Sequence, residues 1–154
     1  MKSEKSQCKQ YKKQGKPSDS AAPSMENTKL ELTGLKPTDA AWVAGLIDGE
    51  GCFTVDNGPR IAVDSTCRSV IEEIHRILGG ACGMLNRKTC KGRSVFRWRV
   101  SGSLAVSICN SIQEYLRDKG EQAELLTKIY KYPPHSAMRD SIKKRMRSIK
   151  RTSL

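Results

Sequence analysis

Apolar and polar positions divide the chain into a short series of patterned segments. The stretch AAWVAGLIDGEGCF, residues 40–53, is almost wholly apolar or small as far as Ile47. Pro37 precedes it, with Thr38 or Asp39 as a cap, so the pattern predicts a helix over 40–49 closed by Gly49-Glu50-Gly51. Cys52 to Val55 then alternates as a strand, Asp56-Asn57-Gly58-Pro59 makes a turn, and 60–65 forms a second strand. Between Cys67 and Leu78, the residues Val70, Ile71, Ile74, Ile77 and Leu78 recur at helical spacing, and Gly79-Gly80 ends the helix. Residues 81–88 form a third strand. After a turn at Thr89-Cys90-Lys91-Gly92 comes a fourth, 93–101, in which Phe96, Trp98 and Val100 face one way and Val95, Arg97, Arg99 and Ser101 the other. A third helix is expected from Leu104 to Arg117, a break at Lys119-Gly120, and a fourth helix from Glu121 to Tyr130, stopped ahead of Pro133-Pro134. Finally RDSIKKRMRSIKR, 139–151, makes a basic helix with Ile142, Met146 and Ile149 on one side. The order helix-strand-strand-helix-strand-strand-helix predicts an α+β domain with helices on one face of a four-stranded sheet.

Composition narrows the class of partner. The chain has 154 residues, enough for one core. A net charge of +12 points to a polyanion, nucleic acid before anionic membrane. No apolar run approaches the ~20 residues that span a bilayer, and no signal-peptide core opens the chain. Six cysteines without a C-x-x-C pair, beside two histidines, argue against a zinc site and for reduced thiols in an intracellular compartment. Residues 1–36, rich in Lys, Ser and Gln, are expected to be a disordered tail. Residues 37–134 then form the domain and 135–154 a basic C-terminal helix or tail.

Two features of the first helix carry chemistry. Ala41, Gly45 and Gly49 recur every four residues, a stripe that lets another backbone come close. Asp48 and Glu50 stand at the negative end of the helix dipole, where an anion calls for a partner such as the N-terminus of another helix or a metal ion. The plainer alternative is a buried helix with a glycine cap and two solvated acids.

The segment VAGLIDGEG, Val43 to Gly51, with Trp42 before it and Cys52-Phe53 after it, resembles the signature of the LAGLIDADG homing endonucleases. It has Val for the first Leu, Gly for an Ala and Glu for the last Asp. The resemblance covers Pro37 to about Pro134 and implies an αββαββα fold with an antiparallel sheet. It implies that Glu50 and the carbonyl of Gly49 hold Mg²⁺, for which Mn²⁺ substitutes. It places Ala41, Gly45, Asp48 and Gly49 at a contact between two such helices, with Asp48 capping the partner helix. Lys119, in the segment KGEQA, is carried over as a residue near the metal, against the alternative that it caps the third helix. Asp64 and Ser65 lie where relatives carry another polar residue of the active site.

The single motif implies a homodimer on a near-palindromic double-stranded DNA, with no small-molecule cofactor and no membrane. By alternation from Glu50, the open face of the sheet carries Cys52, Thr54 and Asp56, then Arg60, Ala62 and Asp64, then Met84, Asn86 and Lys88, with Arg97 and Arg99. Of these Thr54, Asp56, Arg60, Asn86, Lys88, Arg97 and Arg99 are the expected DNA contacts. The first hairpin is shorter than in many relatives, which implies a shorter footprint and relaxed specificity. Competing readings on the same fold are an RNA-binding intron maturase and a catalytically inactive DNA-binding regulator. The resemblance places such a protein in an organelle or in a bacterial or phage cytoplasm.

Overall fold

The computed structural model describes residues 34–152. Helix α1 (Pro37–Glu50) leads into strands β1 (Gly51–Thr54) and β2 (Arg60–Ser65). Helix α2 (Arg68–Leu78) connects them to β3 (Ala81–Lys88) and β4 (Ser94–Ser101). Helix α3 (Ser103–Ile112), a 3₁₀ turn (Gln113–Tyr115), α4 (Gly120–Tyr130) and α5 (Ala137–Thr152) complete the chain. The four strands form one antiparallel sheet in the order β1-β2-β4-β3. The expected α+β architecture with an antiparallel sheet is therefore observed. The tail expected over 1–36 lies almost entirely outside the described residues.

Period-two alternation separates the sheet into two faces. One row pairs Gly51, Val63, Trp98 and Cys82, and the next pairs Phe53, Ile61 and Val100. Phe53, Ile61, Val63, Trp98 and Val100 are buried against Val43, Ala44 and Ile47 of α1, Ile71 and Ile74 of α2, and Ile108 and Ile112 of α3. Each large aliphatic or aromatic side chain removed from water in this way contributes about 1.5–3 kcal/mol. Burial leaves the Trp98 indole needing an acceptor, which it finds in the Gly79 carbonyl at 2.7 Å. Gly80, at φ +87°, passes directly under this contact, where an added Cβ would run into the Val100 side chain and the Arg99 carbonyl.

Three expectations are corrected. The third helix ends at Ile112, not Arg117. Its continuation tightens to 3₁₀, and Leu116 turns to extended backbone, because the amide of Arg117 is bound by the Asp48 carboxylate instead of by its own helix. Met84 pairs with Phe96 and so lies on the helix side of β3, not on the open face. It remains 68% exposed at the sheet edge. The ladder shifts register between Met84 and Lys88, but Lys88 pairs with Ser94, which shares a side of β4 with Phe96 and Trp98, so Lys88 too lies off the open face. Finally, the basic C-terminal helix packs into the body of the domain. Ile142 and Met146 are buried in the same core, and Arg145 pairs with Glu121 of α4 at 2.7 Å. Arg147 reaches Asp56 at the β1-β2 turn at 2.8 Å.

Candidate active site and nucleic-acid face

The end of α1 is built by a close approach. The Gly51 amide closes the helix on the Ile47 carbonyl, and a Cβ on Gly51 would stand 2.6 Å from that oxygen. Only glycine lets the chain pass so directly from helix into strand. The turn leaves Asp48 and Glu50, two residues apart, in different surroundings. Asp48 is half-buried, and its two oxygens accept the amides of Arg117 at 2.7 Å and Lys119 at 3.0 Å. Burial pushes the Asp48 carboxyl up. The amides of Arg117, Lys119 and Asp118, with the nearby Lys119 charge, outweigh burial and hold its pKa below the usual value. Glu50 is exposed.

Lys119 completes this end. Its ammonium donates to the carbonyls of Ile47 at 2.9 Å and Asp48 at 2.6 Å. The last turn of α1 contains no basic residue of its own. A lysine brought from before α4 therefore joins the Gly51 amide at the Ile47 carbonyl, satisfies the Asp48 carbonyl, and complements the helix dipole. The alternative that Lys119 caps α3 is replaced: it caps α1. Within its own chain each Asp48 oxygen accepts one amide from the loop ahead of α4, a capping contact of the kind expected toward a partner helix.

Among the described residues, nothing covers the outward side of α1. Ala41, Gly45 and Gly49 are exposed, a Cβ on either glycine would meet nothing within 4 Å, and Trp42 is 40% exposed beside them. An apolar helix with one such bare stripe has a surface shaped for close helix contact.

The open face of the sheet holds three rows. Thr54, Arg60 and Ser101 form the outermost. Cys52, Ala62, Arg99 and Ala81 form the middle one. Asp64, Arg97 and Gly83 form the row nearest Glu50. Arg60 and Arg99 are exposed, and Arg99 stands between two alanines. Arg97 is engaged: its Nε donates to Asp64 Oδ1 at 2.6 Å and its Nη2 to Oδ2 at 2.7 Å. Arg87 reaches the same Oδ2. The bonds from Arg97 hold the Asp64 carboxyl below its usual pKa despite partial burial, with Arg87 adding to the effect. The alternation expected for β3 sets Met84, Asn86 and Lys88 on this face; the ladder sets Ala81 and Gly83 there instead, and Arg87 shares their parity. Asn86 and Lys88 are exposed beside it. At the sheet edge, Lys150 of α5 places its Nζ 3.5 Å from the Cys52 sulfur, so a cation borders the middle row. Asp56 is exposed at the hairpin and paired with Arg147.

Whether one chain suits a divalent metal is decided by its donors. Among the described residues no group of three His, Cys, Asp or Glu side chains comes together. The end of α1 offers one exposed carboxylate beside backbone carbonyls. That is a set of hard oxygen donors, short of a full shell. Mg²⁺ commonly takes one or two carboxylates and fills its remaining positions with water and phosphate oxygens, so the donors fit a metal whose other ligands are water or phosphate.

A family profile described as a LAGLIDADG-like domain matches residues 37–117. No curated protein matches the sequence. Among solved structures, the chain is similar to the homing endonuclease I-CvuI in complex with its target in the presence of Ca, with 22% identity, a TM-score of 0.57, and coverage of 73% of this chain and 82% of that one. It is also similar to I-CvuI in complex with the I-CreI target in the presence of Mg, in which the DNA is not cleaved. That match has 20% identity, a TM-score of 0.51, and coverage of 75% of this chain and 94% of the other. At such identities the likeness speaks for the fold.

Proposed function

The chain belongs to the LAGLIDADG-like family, and from that membership we propose that it is a site-specific, Mg²⁺-dependent endonuclease that cuts both strands of DNA as a homodimer. The observation that carries the proposal is the contrast at the end of α1. Asp48 holds the loop ahead of α4 through one amide on each oxygen, and Lys119 is used in capping the helix. Glu50 stands exposed at the same turn, beside a stripe that none of the described residues covers. The similar structures of I-CvuI hold its target in the presence of Ca or Mg, which accords with this reading.

In the proposed mechanism two copies meet through Ala41, Gly45 and Gly49. The two Glu50 side chains then lie close together, one facing each strand of a two-fold site. Glu50 and the Gly49 carbonyl would hold the metal. Bound Mg²⁺, or Mn²⁺ in its place, supplies Lewis acidity to the scissile phosphate and lowers the pKa of water. Lys119 fixes the helix end that presents Glu50 and adds positive charge where negative charge develops in the transition state. Asp48 keeps the loop carrying Lys119 against α1. The open face of the sheet, with Thr54, Arg60, Arg97, Arg99 and Arg87, lies against the major groove, where base edges are distinguishable. Two copies are required because one exposed acid serves one strand.

The test is incubation of the full-length protein with Mg²⁺ and a plasmid library carrying randomised near-palindromic inserts. The expected result is linear product drawn from a narrow set of inserts and abolished by chelation. Binding to a subset of inserts with no cut in Mg²⁺ or Mn²⁺ would instead identify a DNA-binding regulator. Binding to none would overturn the proposal.

A further inference from the structure

The proposed function leaves one cluster unexplained, an aspartate set between two arginines on a surface assigned to DNA. A carboxylate there repels phosphate and lowers the affinity that arginines otherwise supply, so its presence calls for a compensating role. Its geometry shows one. Asp64 takes the Nε and Nη2 hydrogens of Arg97 side-on at 2.6 and 2.7 Å. A guanidinium has five N–H groups in one rigid plane. Once that side is bound, three hydrogens are left to Arg97, two on Nη1 and one on Nη2, and one from each of these nitrogens form a pair pointing away from Asp64. That pair matches the O6 and N7 acceptors of guanine. The cross-strand neighbour of Arg97 on its other side is Gly83, which has no side chain to obstruct an approaching base. Asp64 stands opposite Arg97 in the sheet ladder, so backbone pairing fixes the position from which it orients the arginine.

Resting on the reading of this face as the DNA surface, we propose that Asp64 is a positioning residue that sets Arg97 to read one guanine in each half-site. Because this row adjoins Glu50, the guanine lies toward the middle of the site. Arg87, bonded to the same oxygen of Asp64, supplies the second cation that keeps the carboxylate ionised and in place. Arg99, with alanines on both sides, has no such support, and its base preference is broader.

The experiment is in vitro selection from a pool of randomised duplexes, in Ca²⁺, with full-length wild type, Asp64→Asn and Arg97→Lys, each confirmed folded by circular dichroism. The probe for general affinity is one fixed duplex of arbitrary sequence. Wild type is expected to enrich one guanine per half-site at an inner position. Asp64→Asn should lower that preference by roughly 5- to 150-fold, the range of one bidentate base contact, while binding the fixed duplex more tightly because an anion is gone. Arg97→Lys, which keeps the charge but loses the planar fork, should lose the same guanine. An unchanged guanine preference in Asp64→Asn overturns the role of Asp64 and leaves the DNA reading intact. A wild type that retains no duplex overturns both. A uniform fall in affinity at every position, with the guanine preference intact, identifies Asp64 as merely structural and also overturns the inference.

Discussion

The two sides of α1 are made of similar residues and have opposite fates. On the inner side Ala40, Val43, Ala44 and Ile47 are buried against the sheet and the other helices. On the outer side Ala41, Gly45 and Gly49 stand in open space. The two acids divide in the same way. Asp48 is tied by two amides and held ionised, while Glu50 is exposed. Hydrophobicity alone does not separate these sides. What separates them is whether the fold of the same chain supplies a neighbour. The inner side belongs to stability, and the outer side together with Glu50 is what remains for association and chemistry.

That division is testable from both directions. The largest expected effect is on chemistry. Glu50→Gln should fold normally and bind selected duplexes in Ca²⁺, yet its cleavage in Mg²⁺ should fall to background. A folded Glu50→Gln protein that cuts at the wild-type rate would end the mechanism. Next, Gly45→Leu places a side chain where the single chain has room and a second copy does not. Overpacking of about 1–3 kcal/mol on each protomer raises the dimer Kd by roughly 30- to 10⁴-fold, to be read by sedimentation velocity. The monomer itself should melt no lower, because leucine replaces glycine within a helix. A dimer that persists in Gly45→Leu would move the interface elsewhere.

On the inner side, Ile47→Ala should cost about 2–5 kcal/mol in chemical denaturation, as expected for a buried aliphatic side chain. A loss below about 1 kcal/mol, the level of a surface site, would mean that the two sides of α1 differ less than their burial indicates. The smallest effect belongs to Asp48→Asn, about 0.5–2 kcal/mol by analogy with the loss of a helix cap. Its signature is in the pH dependence. The folded-state pKa of Asp48 lies below its ordinary value, so the unfolded chain takes up protons first. The contribution is therefore present above the unfolded value, about pH 4, and is lost as pH falls through the lower folded value. Asp64 adds in the same sense. Thermal melts between pH 2 and 6 should fall less steeply for Asp48→Asn than for wild type. Parallel curves would show that Asp48 is not held ionised by the amides.

Much of this protein was legible in the residues alone. Period-two and period-3.6 patterns located the strands and helices, because burial of one face imposes those periods whatever the partner. The motif marked the turn at Glu50, and the small-residue stripe was visible by spacing. Tertiary structure decided the matters that depend on approach in space between residues distant in sequence. It brought Lys119 onto the carbonyls of Ile47 and Asp48. It used both oxygens of Asp48 within the chain, ending α3 early. It decided which side of β3 faces outward, so that Met84 left the open face and Arg87 joined Asp64. Period and propensity are properties of a segment and are written along it. A cap supplied from some seventy residues away, or the facing of a weakly patterned strand, results from competition among segments for the same neighbours, and no single segment encodes the winner.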